Sequence, residues 1–286
     1  MKPSVFLKAC VAQWFGIPCQ IRWVRAKKKA GNTNHYYHFI VDAWVPLALF
    51  LQRFPGAKCL LPKTELGNFS QIVDKWLPQP SQHRWAIRIA IRGLNPKFVK
   101  TTAEQWKTAR DWTFERLNLS LEPRKFCKLI LLIDRADEGQ DRGAERRSIS
   151  NMDQLEAVLK SALQDGLELR RVDLARLPWR EQVMLFRDAQ LVLGQHGAGL
   201  VNMLWMQNDA PVVEIGNFRS HFVHLAQQTN RPHFCFEAVS DHPQLSLGAF
   251  ARFLKGKPSL ASFFKNDILE ATSFQDPPPP ERNLVV

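Results

Sequence analysis

The segment Ala189-Gln190-Leu191-Val192-Leu193-Gly194-Gln195-His196-Gly197-Ala198-Gly199-Leu200-Val201-Asn202-Met203-Leu204-Trp205-Met206 opens on an apolar run, Leu191 to Leu193, of the kind a buried strand shows. Three glycines follow, at 194, 197 and 199, with His196 among them, and then an apolar stretch of helical character. Strand, glycine-rich turn and helix in that order bring a backbone close to a phosphate. Glycine offers no Cβ to obstruct a ligand, and the first turn of a helix presents free N–H groups with a partial positive charge. Glycines at this spacing also serve plain strand–helix packing. A turn has no need of an imidazole, however, so His196 favours the ligand reading, through a hydrogen bond to a phosphate oxygen or a sugar hydroxyl.

Outward from this turn the second half of the chain alternates strand-like and helix-like stretches. Strands are expected at 126–134, 167–173, 190–194, 211–216 and 232–238, with helices at 151–163, 179–187 and 220–229. Such alternation implies βαβ units and a parallel sheet, an α/β fold. Ligands in parallel sheets bind beyond the carboxyl ends of the strands, where Arg135 and His196 both fall. Ahead of residue 123 the reading gives strands at 19–25, 58–61 and 85–91. It gives helices at 35–53, kinked by Pro46, at 69–77, and at 101–117 with Thr101 or Thr102 as its cap. The expected domains are therefore 1–122 and 123–274, followed by a Pro-rich, disordered tail at 275–286.

The 286 residues carry a net charge of +12, which turns attention to acidic partners: nucleotide phosphates, nucleic acid or an anionic membrane surface. Only Arg25 to Lys29 is densely basic, and no nucleic-acid recognition module or stacking motif is visible, so nucleic acid is not the expected partner. Five dispersed cysteines without a Cys-x-x-Cys argue against a disulfide framework or a zinc site and for a reducing, cytoplasmic compartment, with peripheral membrane contact compatible with the charge. No apolar run reaches the roughly 18 residues of a membrane span. Val5 to Ile17 is mildly apolar but is broken by Lys8 and Gln13, a poorly formed signal peptide. A dinucleotide-dependent oxidoreductase would place its glycine fingerprint in the first βα unit, and here the turn comes late.

Three segments together resemble glycosyltransferase family 61. The first is Tyr37-His38-Phe39 with Asp42 and then Pro46-Leu47. The second is Arg135 followed by Arg147-x-Ile149-x-Asn151. The third is His196-Gly197-Ala198-Gly199-Leu200-x-Asn202 with Val212-Val213-Glu214 after it. One departure is His35, where the family usually carries Asn. The resemblance implies a GT-B-like architecture, two Rossmann-like lobes facing across a cleft, and inverting transfer from a nucleotide sugar to a glycan acceptor in cell-surface polysaccharide synthesis. It implies donor binding by Arg135, Arg147, Asn151, His196, Gly197, Ala198, Gly199, Asn202 and Glu214, with His38 and Asp42 catalytic.

The chemistry of the residues agrees with this. Glycosyl transfer passes through an oxocarbenium-like state, and the departing diphosphate gains negative charge. No Asp-x-Asp is present to hold a metal there, so no metal or cofactor is expected. Arginines and the glycine turn would meet the charge instead. His38 and Asp42 are four apart and share a helical face. Either could deprotonate the acceptor while the other orients it, and an imidazole suits neutral pH with less tuning. A rival reading is a catalytically inactive relative that binds a nucleotide as a regulator or scaffold.

Overall fold

The structure, a computed structural model, describes residues 3–24, 33, 35–77, 86–122, 128–135, 148–207, 209–216, 221–238 and 243–265. The Arg25–Lys29 cluster, Arg147 and the Pro-rich tail lie outside them. Two parallel sheets form the framework. The first has the order β2-β1-β3, with β1 at Cys19–Val24, β2 at Cys59–Leu60 and β3 at Ile87–Arg92. The second has the order β5-β4-β6-β7-β8: β4 Leu129–Asp134, β5 Glu168–Asp173, β6 Ala189–Gln195, β7 Val212–Ile215 and β8 His233–Phe236. All of its neighbours are parallel.

Strand alternation fixes the layers. In β4, Leu129, Leu131 and Ile133 face one core, while Ile130 and Leu132 face the other, beneath the helices Met152–Ala162 and Leu247–Lys255. The first of these cores also takes in the helix around Phe39–Trp44 and the helix Ala103–Arg116. Trp44 packs edge-on against Trp179 at 4.6 Å, and Trp179 meets Trp205 at 6.2 Å. One apolar layer thus continues from the first sheet's helices onto the second sheet. Edge-to-face aromatic pairs add stability beyond their buried area, so this seam is a firm one. Polar ties reinforce it. Gln228 donates to the carbonyls of Pro96 and Val99, both at 2.9 Å, and accepts from the Thr101 amide at 3.1 Å.

Local signals account for most elements. Thr102 caps its helix with a reciprocal capping box to Gln105. The expected 35–53 helix is instead three pieces: α-helix Tyr36–His38, π-helix Phe39–Trp44 and α-helix Val45–Arg53. Proline explains the break. The Val45 amide bonds Ile40 O in π register, and Pro46 has no N–H with which to continue the series to Val41 O. The Leu94 amide takes that carbonyl at 2.9 Å. The loop after β3 is thereby docked onto the π-turn, directly beside Asp42. The apolar stretch after the glycine turn is a 3₁₀-helix, Ala198–Trp205, not an α-helix.

Candidate active site

The strand order of the second sheet reverses between β4 and β6. At such a switch point the neighbouring loops diverge and leave a crevice beyond the strands' carboxyl ends. Arg135 leaves β4 and His196 leaves β6 at this point, and Arg135 Nη1 donates to His196 O at 3.2 Å. Gly197 makes the approach feasible, because a Cβ there would stand 3.1 Å from the guanidinium carbon and closer still to Nη1. Gly194 and Gly199 have a different role. Their missing Cβ atoms leave room for Ile133 and Leu174, so they are packing glycines. Ala198 is the exposed residue of the turn.

Beneath the turn lies a buried polar cluster. Glu214, fully buried on β7, accepts from His196 Nδ1 through Oε1 and faces His233 Nε2 through Oε2 at 2.9 Å. Burial raises the Glu214 pKa, but the two imidazoles opposite outweigh it and hold the carboxyl below the ordinary range. With Nδ1 committed to Glu214, the His196 Nε2 is left for a ligand. A neutral Nε2 can accept a hydrogen bond, and a protonated one can donate. Cys235 Sγ lies 3.6 Å from His233 Nδ1, and burial, with Glu214 and Glu237, pushes its pKa up to about 12. Glu214, His233 and Cys235 are the described residues that could share a metal ion, with ligand atoms within 4.8 Å of one another.

The second constellation spans the junction of the α-helix Tyr36–His38 and the π-helix Phe39–Trp44. His38 Nδ1 lies 2.8 Å from Asp42 Oδ2, and Asp42 Oδ1 accepts from the Asn95 amide at 3.2 Å. Both carboxylate oxygens are occupied and Asp42 is buried, whereas the His38 side chain keeps 18% exposure. Gly93 leaves space for this arrangement: a Cβ there would lie 2.8 Å from Asp42 Cγ and nearer still to Oδ1. We expect Gly93→Ala to displace Asp42 and slow any reaction that uses His38, on the order of 10²-fold as for other small misplacements. Steady-state kinetics would check this, and a wild-type rate would exclude a role for the pair.

A path of rings joins the two constellations. Tyr37 stands edge-on to His38 at 5.2 Å and to Phe222 at 5.6 Å, and Phe222 stands edge-on to His196 at 5.3 Å. The structure therefore gathers His38, Asp42, Arg135, His196 and Glu214 around one region. Asn202 and Asn151 are engaged elsewhere. Asn202 is fully buried. It accepts from Tyr36 Oη at 2.5 Å and from Trp205 Nε1 at 2.9 Å, and donates to Gln182 Oε1 at 3.2 Å. Its amide ties the His38 segment to the 3₁₀-helix and does not reach outward. Asn151 occupies the cap position of its helix without capping it. Its amide instead pairs reciprocally with the Leu245 backbone, at 3.0 and 2.9 Å. Gly93, Asn95 and His233 were not read from the sequence. A glycine following a strand, in Arg92-Gly93-Leu94-Asn95, was the available signal for the first two.

The family model for Glycosyltransferase 61 matches residues 36–213. The chain belongs to glycosyltransferase family 61. The matched region begins at the His38 segment and ends on β7 at Val213, so it includes His38, Asp42, Arg135 and His196 and stops one residue short of Glu214. Over 76 residues the chain is 34% identical to the EGF domain-specific O-linked N-acetylglucosamine transferase of Drosophila melanogaster, which covers 27% of this chain and 14% of that protein. The described residues contain no helix long and apolar enough to cross a membrane.

Proposed function

We propose that this family 61 chain is an inverting glycosyltransferase that moves a sugar from a nucleotide-sugar donor to a hydroxyl of a glycan acceptor in cell-surface polysaccharide synthesis. The observation that carries the reading is the meeting of Arg135 and His196 at the switch point of the second sheet, with His38 joined to it through Tyr37 and Phe222. In this reading residues 123–274 hold the donor, residues 1–122 present the acceptor, and the two parallel sheets are the lobes of a GT-B enzyme. Arg135, His196 and the amides of Gly197 to Gly199 meet the charge that grows on the departing diphosphate. His38 is the base. Its Nδ1 is committed to Asp42, which leaves Nε2 to take the acceptor proton, and Asp42 acts as orienter because both of its oxygens are already engaged. Inversion follows from one direct displacement: the acceptor oxygen bonds the anomeric carbon as the bond to the diphosphate oxygen breaks, and the proton passes to His38. A reducing, cytoplasmic setting fits the dispersed cysteines of the sequence, which has no Cys-x-x-Cys.

A thermal-shift panel of nucleoside diphosphates, followed by transfer assays with the sugar forms of those that bind, tests the proposal. A ligand at a hundred times its Kd adds about 2.7 kcal/mol of stability. Binding without turnover for any donor would instead mark a regulatory or scaffold relative. Absence of binding would remove the donor site. Transfer is also expected to survive excess chelator, because the chain lacks an Asp-x-Asp and offers arginine instead. Complete loss of activity on chelation, restored by Mg²⁺ or Mn²⁺, would overturn that part of the mechanism.

A further inference from the structure

The helix Pro3–Trp14 is built the wrong way round for a helix that serves only its own core. Its inward face is small: Ala9 and Ala12 are buried. Its outward face is bulky and apolar. Leu7 is 65% exposed, Val11 38% and Trp14 86%, and Phe15, just past the helix, is 70% exposed. Positions 7, 11, 14 and 15 form a single stripe at helical spacing. Beyond this stripe, the exposed large hydrophobics among the described residues are Phe6 on the same helix, Val24 and Leu121. The stretch that reads as a defective signal peptide is thus a folded helix holding an apolar stripe to the outside. A contiguous patch of this kind marks an interaction surface.

Charge identifies the partner. Residues 1–60 contain nine Lys and Arg against one acid, Asp42, and so supply +8 of the chain's +12. Asp42 is buried against His38 and offers nothing to the surface. Lys8, Arg22, Arg53 and Lys58 are exposed. Arg53 lies over the Phe6 ring of this helix at 4.9 Å, and Lys8 stands on the helix itself, so cations flank the stripe. A second copy would bring an equally basic face against this one, and like charges repel. An anionic lipid surface satisfies both features. Apolar and aromatic side chains enter the headgroup boundary while lysines and arginines meet the lipid phosphates. We propose that the 3–14 helix lies in the plane of an anionic membrane surface, with Leu7, Val11, Trp14 and Phe15 inserted at the headgroup boundary. The inference is independent of the transfer reading, since it rests on a face distinct from the His38 and His196 constellations.

Co-sedimentation of the full chain with phosphatidylglycerol-rich vesicles and with pure phosphatidylcholine vesicles tests it. The wild-type chain should bind the anionic vesicles and not the neutral ones, and should release in 1 M salt, where the Debye length falls to about 3 Å. Trp14→Ser with Phe15→Ser should weaken binding about tenfold or more, since both lie in the inserted stripe. Melting temperature and transfer to a soluble acceptor should stay unchanged, because both residues are exposed. Equal binding to both vesicle types, no binding to either, or undiminished binding by the double variant would each overturn the proposal. So would concentration-dependent self-association that the double variant abolishes, which would make a second copy the occupant.

Discussion

His38→Ala is expected to lower kcat by about 10²–10⁴-fold, the usual effect of removing a general base, while the affinity for the nucleotide sugar stays near that of the wild type. The separation is expected because the proposed donor contacts lie in the β4 and β6 loops, whereas the proposed base ends the α-helix Tyr36–His38. Asp42→Asn should also slow turnover. An amide can present NH₂ to the ring where the carboxylate accepted from it, so the imidazole is no longer held with Nε2 unprotonated. Single-turnover kinetics with saturating donor, alongside isothermal titration of the nucleoside diphosphate, distinguish base from binder. A His38→Ala enzyme with normal kcat, beside an inactive Asp42→Asn enzyme, would make Asp42 the base. Normal turnover in both would remove the pair from the mechanism.

The second large effect is on stability. Glu214→Ala should lower it by about 3 kcal/mol or more. The buried imidazoles of His196 and His233 both lose the carboxylate, at about 1–3 kcal/mol for each group left unsatisfied, and a void remains. At roughly 2–4 °C per kcal/mol for a chain of this size, the melting temperature should fall by about 6–12 °C. Glu214→Gln retains an acceptor for His196 and should lose less. The wild-type contribution has a defined pH window. Because folding depresses the Glu214 pKa, its stabilisation is fully present above the ordinary Glu value of about 4.3 and disappears as pH falls through the lower folded value. Acid unfolding of Glu214→Gln should therefore lack that component. Diphosphate binding, measured well below the melting transition, should weaken in both variants, since His196 loses the group that orients its ring. Melting temperatures within a degree or two of wild type would show that the carboxylate does not hold the two histidines in solution.

The ledger between sequence and structure follows the range over which each signal acts. The parallel α/β second half, β6 with its glycine turn, the Thr102 cap and the disruptive effect of Pro46 were all legible locally. Burial periodicity and cap chemistry are written in residues a few positions apart. Grouping His38 with Asp42 was also legible, because they share a face at a separation of four. What each residue does there was not. Both Asp42 oxygens are engaged only because Leu94 and Asn95 dock on the π-turn just past the end of β3, about fifty residues away, and the proposed orienter role rests on that. Asn202 reads as part of a ligand turn, yet Tyr36 reaches it from 166 positions earlier and draws it into the core. Glu214 acquires two histidine partners because β7 is placed beside both β6 and β8. The sequence alone determined the strands of both sheets, most of the helices and which polar residues stand at their ends. Tertiary structure alone decided which of those polar groups are consumed by one another and which remain turned toward a ligand, because a hydrogen-bond partner is set by which strands become neighbours, and that is a property of the whole chain's burial.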